Sequence, residues 1–338
     1  MTTSAKPRVL VTIPMFAEVL ARLGQHFEVE APCGTAHNID WTPEALAARA
    51  QGASGLLVAG APRIDAALLA AVPSLRAVCS MAVGYNNIDV PACTAAGVVV
   101  SNAPDVLTET TADFGFALMM ATARRIAESE HFLRAGQWTH WSYDLFAGAD
   151  VHGATLGVLG MGRIGQAIAR RGALGFGMPV LYHNRSRLDA AIEHQLGARW
   201  VDKQTLMREV DHLVIVVPYS PASHHMVGAA ELALMKPTAT LTNVARGGVV
   251  DDAALAAALR ARTIAAAGLD VFEGEPQVHP DLLTVPNVVL TPHIASASLR
   301  TRRAMADLAA SNLEAALAGT GAPPTALNPQ VLPLRPAN

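Results

Sequence analysis

The sequence predicts an α/β protein built from two doubly wound parallel-sheet domains. Its 338 residues exceed the roughly 250–300 at which a single hydrophobic core stops growing. Short β-branched runs bounded by Gly, Pro or Asn alternate with Ala- and Leu-rich stretches. That is the pattern of parallel strands joined by crossover helices, and it occurs twice. The second series opens on a glycine loop of the kind that carries a strand into a helix.

In the first series the strand candidates are Val9–Ile13, Leu56–Gly60, Leu75–Met81 and Val98–Asn102, with helical stretches such as Pro43–Gln51 and Ile64–Ala71 between them. A helix candidate then begins near Pro104 and carries Val106, Leu107, Phe114, Leu118 and Met119. It ends around Arg124–Arg125, where cations suit a helix C-terminus, and is placed to join two domains. After an aromatic stretch (Trp138, Trp141, Tyr143, Phe146) come strand candidates Thr155–Gly160, Pro179–Asn184, His212–Pro218, Ala239–Ala245, Ala265–Val271 and Val288–Thr291. A closing helix, roughly Ser296–Leu317, is expected to return to the first domain. Residues 1–102, completed by 293–325, therefore form the expected first domain, 103–292 the second, and 326–338 a C-terminal tail.

Composition excludes several classes. With 25 basic against 28 acidic residues and a net charge of −3, the chain has no sequence-independent attraction for nucleic acid. No run approaches the ~18 apolar residues that spanning a bilayer requires. Cys33, Cys79 and Cys93 leave an odd count and fit no metal-ligand spacing, which suits buried thiols in a reducing compartment, and no metal site is expected. The segment Met1–Arg8 runs into Val9 without an apolar signal core, so a cytoplasmic location is the expectation.

The run Leu156-Gly157-Val158-Leu159-Gly160-Met161-Gly162-Arg163-Ile164-Gly165 places G-x-G-x-x-G where a strand passes into a helix. Gly160 permits the tight turn, Gly162 lets the backbone approach a pyrophosphate, and Gly165 lets the helix pack on the strand, with amides of the first helical residues, Arg163 and Ile164 among them, facing the anion. A nicotinamide dinucleotide is the implied ligand. The next strand ends Tyr182-His183-Asn184-Arg185-Ser186-Arg187, without the carboxylate that usually takes the adenosine ribose of NAD. Two guanidiniums and a hydroxyl stand there instead, and guanidinium binds phosphate through paired, charge-assisted hydrogen bonds. NADP(H) is the expected preference, with NAD(H) also possible.

Three further segments put reactive side chains at strand ends, where open α/β sheets bind ligands. They are Asn243-Val244-Ala245-Arg246-Gly247-Gly248, Gly268-Leu269-Asp270-Val271-Phe272-Glu273-Gly274-Glu275-Pro276 and Thr291-Pro292-His293-Ile294-Ala295-Ser296. Reducing a 2-keto acid needs a cation for the substrate carboxylate, a hydride donor, and an acid for the carbonyl oxygen. Arg246 can clamp a carboxylate and lean on the oxygen. His293 can supply the proton, with Glu275 favouring its protonated form and fixing its orientation.

With these segments in view, the sequence resembles the D-isomer-specific 2-hydroxyacid dehydrogenases over nearly its whole length. The stretches that carry the likeness are Val83-Gly84-Tyr85-Asn86-Asn87-Ile88-Asp89, Leu107-Thr108-Glu109-Thr110-Thr111-Ala112-Asp113, the glycine loop, Val217-Pro218 and the three segments above. The run from Gly148 through Gly162 to Tyr182 most resembles bacterial glyoxylate/hydroxypyruvate reductases that also act as 2-ketogluconate reductases.

The resemblance implies a flavodoxin-like substrate domain around an inserted Rossmann domain, with Arg246, Glu275 and His293 as the catalytic trio. It also implies that the amides of Val83 and Gly84 bind the substrate carboxylate, that Asp270 meets the nicotinamide carboxamide, and that Thr111, Val217 and Pro218 belong to the cofactor site. A homodimer through the Rossmann domain is implied too, with Trp138–Phe146 as an arm toward the partner. Ala295 stands where many members have Gly, and Val217 where many have Cys or Leu. The chief rival reading is a nicotinamide-sensing regulator of the same fold; the short tail and the arginine pair speak against it. An NAD-dependent relative with another D-2-hydroxy acid substrate stays open.

Overall fold

The computed structural model describes residues 5–32, 41–60, 62–318 and 322–332. They form two compact units, residues 1–107 with 298–338, and residues 108–297. Both junctions fall five residues later than the sequence reading drew them.

The first unit holds β1 (Arg8–Val11), β2 (Glu28–Glu30), β3 (Ala53–Val58), β4 (Ala77–Ser80) and β5 (Val99–Ser101). They make one parallel sheet in the order β2-β1-β3-β4-β5, the flavodoxin-like order. Its central strands are apolar on both faces because helices cover both: Val9, Leu10, Val11, Leu56, Leu57 and Val58 are fully buried. Helix starts are set by side-chain caps. Thr42 accepts from the Ala45 amide ahead of Pro43, and Asp65 and Asp89 cap the helices Ala66–Ala71 and Val90–Ala95. The closing helix Leu299–Ala318 packs on this sheet at Gly55, where a Cβ would collide with Leu313 and Leu317.

Two readings of this unit change. β2 was not foreseen, because Glu28-Val29-Glu30 is a half-exposed edge of three residues without an apolar run. Nor are residues 326–332 an appended tail. Ala326 bridges Ser101, and the fully buried Asn328 accepts from the Val100 amide at 2.7 Å while donating to the Val98 carbonyl at 2.9 Å. Its amide stands in for the missing neighbour of edge strand β5. Cys79 and Cys93 are buried free thiols, pushed up by burial to about 12 and about 11; Cys33 lies outside the described residues.

The second unit holds β6 (Leu156–Leu159), β7 (Val180–His183), β8 (Ala198–Trp200), β9 (His212–Ile215), β10 (Thr240–Asn243), β11 (Ala266–Leu269) and β12 (Val288–Leu290). Their order is β12-β11-β10-β9-β6-β7-β8, all parallel. Counted from β6, this is the 3-2-1-4-5-6 Rossmann order with a seventh strand added. β8, another three-residue edge, also escaped the sequence reading. The helix Thr108–Ala123 lies on this sheet at Gly268, where a Cβ would meet Thr122 and Leu118. Among the described residues, no helix is long and apolar enough to cross a membrane.

Candidate active site

The order of the second sheet reverses between β6 and β9, and the glycine loop leaves β6 at that switch point. Gly160 has φ +103, and a Cβ there would sit 2.8 Å from Val216 C and Val217 N. A Cβ on Gly165 would lie 2.3 Å from the Gly160 carbonyl oxygen, so both glycines are required by the protein's own packing. Gly162 differs, since nothing lies within 4 Å of the Cβ it lacks. It is also the N-cap of the helix Arg163–Arg170 and offers no side-chain cap. The space beside Gly162, next to amides that begin a helix, fits a pyrophosphate. Thr111 adds a buried hydroxyl without a partner among the described residues. These features fit a dinucleotide.

At the end of β7, the side-chain oxygen of Asn184 accepts from the Met161 amide at 2.7 Å, tying this strand end to the glycine loop. Arg185, Ser186 and Arg187 follow, all exposed. The sequence reading found no carboxylate in this stretch, but the fold brings one in. Glu193, 7% exposed, receives Nε and Nη2 of Arg187 and the hydroxyl of Tyr182 at 2.6 Å. The Arg187 hydrogen bond, with that of Tyr182, holds the Glu193 carboxyl below its usual range. Arg187 is thereby fixed in place, its charge partly offset.

The ends of β10, β11 and β12 supply Arg246, Glu275 and His293, the trio singled out in the sequence. Arg246 follows β10, is partly buried, and donates to the Ala245 carbonyl at 2.6 Å. Burial lowers its pKa, and Glu275 opposes that shift. Glu275 follows β11; one carboxylate oxygen accepts from the Phe272 amide at 2.9 Å, and the other is 2.7 Å from His293 Nδ1. Burial pushes this carboxyl up, but the His293 contact, the Phe272 amide and Arg246 outweigh it and leave it below the ordinary value.

His293 follows β12 in the left-handed region, φ +54, an uncommon conformation for a residue with a Cβ. The fully buried Asp270 holds the turn that imposes it, accepting from the Ile294 and Ala295 amides and the Thr291 hydroxyl, each at 2.8 Å. Burial raises the pKa of Asp270, and these donors counteract it. Asp270 therefore positions the His293 turn, a role the sequence reading did not give it. The signal was available: an Asp at a strand end facing a Pro-His turn has main-chain donors to satisfy.

Val217 and Pro218 follow β9 beside Gly160, with the Pro218 carbonyl accepting from Ser223. Val83 and Gly84 lie in the first unit, after β4; Asn102 donates to the Val83 carbonyl at 2.8 Å.

A Rossmann sheet with an open glycine loop at its switch point, and Arg, Glu and His at its next strand ends, defines a nicotinamide-dependent oxidoreductase. Comparison with known proteins narrows this. Residues 116–295 match the family model for the D-isomer specific 2-hydroxyacid dehydrogenase NAD-binding domain. The chain is 46% identical over 334 residues to a glyoxylate reductase of Thermococcus onnurineus, covering 98% of each. It is 46% identical over 328 residues to glyoxylate/hydroxypyruvate reductase B of Yersinia enterocolitica, covering 97% of this chain and 99% of that one. Among solved structures it is similar to an NADPH-dependent glyoxylate/hydroxypyruvate reductase from Sinorhizobium meliloti in complex with NADP and malonate, with TM-score 0.83 and 38% identity over 98% of this chain and 100% of that one. The chain belongs to the D-isomer specific 2-hydroxyacid dehydrogenases, NAD(P)-dependent oxidoreductases.

Proposed function

We propose that this enzyme reduces small 2-keto acids, glyoxylate and hydroxypyruvate foremost and 2-ketogluconate as a third, to D-2-hydroxy acids, with NADPH preferred over NADH. The observation that carries the chemistry is the 2.7 Å contact of His293 Nδ1 with Glu275. It uses one ring nitrogen for orientation and leaves Nε2 to deliver a proton. Bound nicotinamide supplies the hydride. Arg246 grips the substrate carboxylate and stabilises charge on the carbonyl oxygen, while His293 protonates that oxygen and Glu275 steadies the imidazole through the change of charge. Asp270 keeps the His293 turn in place, whatever contact it makes with the nicotinamide carboxamide.

Glyoxylate and hydroxypyruvate are named for relatives that match this chain nearly end to end, and 2-ketogluconate rests on the resemblance carried by the run from Gly148 through Gly162 to Tyr182. The cofactor preference rests on Arg185, Ser186 and Arg187 at the end of β7. A homodimer through the second unit accords with the exposed aromatics Trp138, Trp141 and Tyr143, and a cytoplasmic setting with the buried free thiols.

Steady-state rates for the three keto acids, each with NADPH and NADH, test the reading. NADPH with glyoxylate or hydroxypyruvate is expected to give the highest kcat/KM, and failure to reduce any of the three removes the assignment. His293→Asn is expected to lower kcat by about 10²–10⁴ while NADPH affinity holds within about twofold. Unchanged turnover would remove the proton from His293.

A further inference from the structure

Beside the catalytic strand ends, the second unit gathers a second set of side chains that the reduction does not use. His224 and His225 lie on the loop after β9, and Glu273 lies on the loop after β11. One ligand atom from each falls within 4.8 Å of the others. The two imidazoles are stacked, with centroids 3.9 Å apart and planes 22° from parallel. His225 Nε2 is 2.9 Å from Glu273 Oε2. We propose that His224, His225 and Glu273 form a binding site for a divalent transition metal ion of the zinc type.

A simple ion pair accounts for His225 and Glu273 but not for His224. A shared cation would engage both rings and the carboxylate at once. Ligating histidines ordinarily have the other ring nitrogen held by an outer partner; His224 has a hydrogen-bonded one, and His225 has a carboxylate nearby. His224 Nδ1 is 3.2 Å from the Tyr219 hydroxyl, and His225 Nδ1 is 3.8 Å from the Asp251 carboxylate. The Nε2 atoms are left as the ligand atoms, and that of His225 already faces Glu273.

The main chain is fixed as well. The His225 amide donates to the Gly248 carbonyl at 2.7 Å, with His225 held at φ +48. The Glu273 amide donates to Asp252 at 3.0 Å. Zinc–nitrogen and zinc–oxygen distances of about 2.0–2.2 Å put ligand atoms on a shared ion at roughly 3–3.5 Å from one another, so small side-chain rotations close the set. Two imidazoles and one carboxylate select zinc, cobalt or nickel over magnesium or calcium, and leave a fourth position open. An ion held there would tie the Val217–Pro218 segment to the loop that carries Glu275.

The test uses the full-length chain, free of any affinity tag and stripped with chelator. Zinc titrated calorimetrically at pH 7.5 is expected to bind saturably at one ion per chain and to raise the thermal midpoint; cobalt is expected to give the visible band of a low-coordinate ion. His224→Ala should weaken binding at least about tenfold and Tyr219→Phe by a smaller factor, while His194→Ala, on the helix Ala190–Leu196, should leave it unchanged. Binding should also weaken as pH falls, because the imidazoles must be neutral to ligate. His225→Ala breaks the pair with Glu273 and risks the fold, so His224→Ala, whose ring makes one hydrogen bond among the described residues, to Tyr219, decides. No saturable zinc binding, or equal affinity in His224→Ala, overturns the site.

Discussion

The two units solve the same topological problem in opposite ways. Each sheet has a switch point where its first strand feeds a helix, the place at which open α/β sheets take ligands. In the first unit that junction is Thr12-Ile13-Pro14-Met15-Phe16. The Thr12 carbonyl is occupied by the Trp41 indole at 2.8 Å, and the Phe16 ring lies under the Arg303 guanidinium at 5.3 Å. In the second unit it is Gly160-Met161-Gly162, with room beside Gly162. Side chains fill one corner, and their absence opens the other. Fold alone thus offers two candidate dinucleotide sites, and local chemistry selects one.

Substitutions in the open corner sharpen this contrast. Gly165→Ala should have the largest effect: its Cβ would meet the Gly160 carbonyl oxygen at 2.3 Å and Val158 Cγ1 at 3.1 Å, so helix and strand must separate. A stability loss of about 1–3 kcal/mol is expected in urea, with NADPH binding weakened at least a hundredfold by fluorescence titration. Gly162→Ala should separate the two properties, because its Cβ meets no protein atom. The urea midpoint should be nearly unchanged while NADPH affinity falls roughly tenfold or more. Intact affinity in Gly162→Ala would mean that the space beside it belongs to something other than the dinucleotide.

Smaller still is the effect of Arg185→Ala with Arg187→Ala, which should shift the NADPH/NADH ratio of kcat/KM by roughly 10–100-fold toward NADH and leave kcat with NADH close to the parent. A preserved preference would break the assignment of the 2'-phosphate to this loop, and would fit an Arg187 wholly absorbed by Glu193.

Where the sequence was legible, one residue type had one dominant job. Short apolar runs bounded by turn residues marked ten strands, and three glycines marked the loop. Arg246, Glu275 and His293 each stood in a segment of its own. β2 and β8 were illegible for a shared reason: three-residue edges such as Glu28-Val29-Glu30 bury too little to leave a hydrophobic pattern. Asn328 and Glu193 were illegible for another. Each closes hydrogen bonds with main-chain or side-chain groups 6 to 230 residues away, and sequence spacing carries no trace of a contact closed by the fold. The His224–His225–Glu273 group, split across two loops, belongs with them.

A last prediction turns the contrast between the units into opposite pH dependences. In the first unit, burial would raise the Glu30 carboxyl, but hydrogen bonds from Arg49 and Arg8 win and hold it below its ordinary value. In the second, burial pushes the 4%-exposed Asp252 from 3.8 up to about 6, aided by the charges of Glu273 and Asp251 and only partly relieved by the Glu273 amide. A depressed acid adds stability above its unfolded pKa and loses it as pH falls through the folded one. A raised acid does the reverse: the folded state binds the extra proton, so stability drops as pH climbs from about 4 to about 6 and stays lower above. Asp252→Asn mimics the protonated acid and should therefore stabilise the protein at pH 8 by an amount on the order of 1–3 kcal/mol, with the gain vanishing near pH 4. Glu30→Gln should destabilise at pH 8, and that loss should shrink toward pH 3. Urea midpoints of both variants across this range read the two signs directly. If Asp252→Asn destabilises at pH 8, its carboxylate is ionised and needed at the Glu273 amide, and burial at this catalytic edge carries no stability cost.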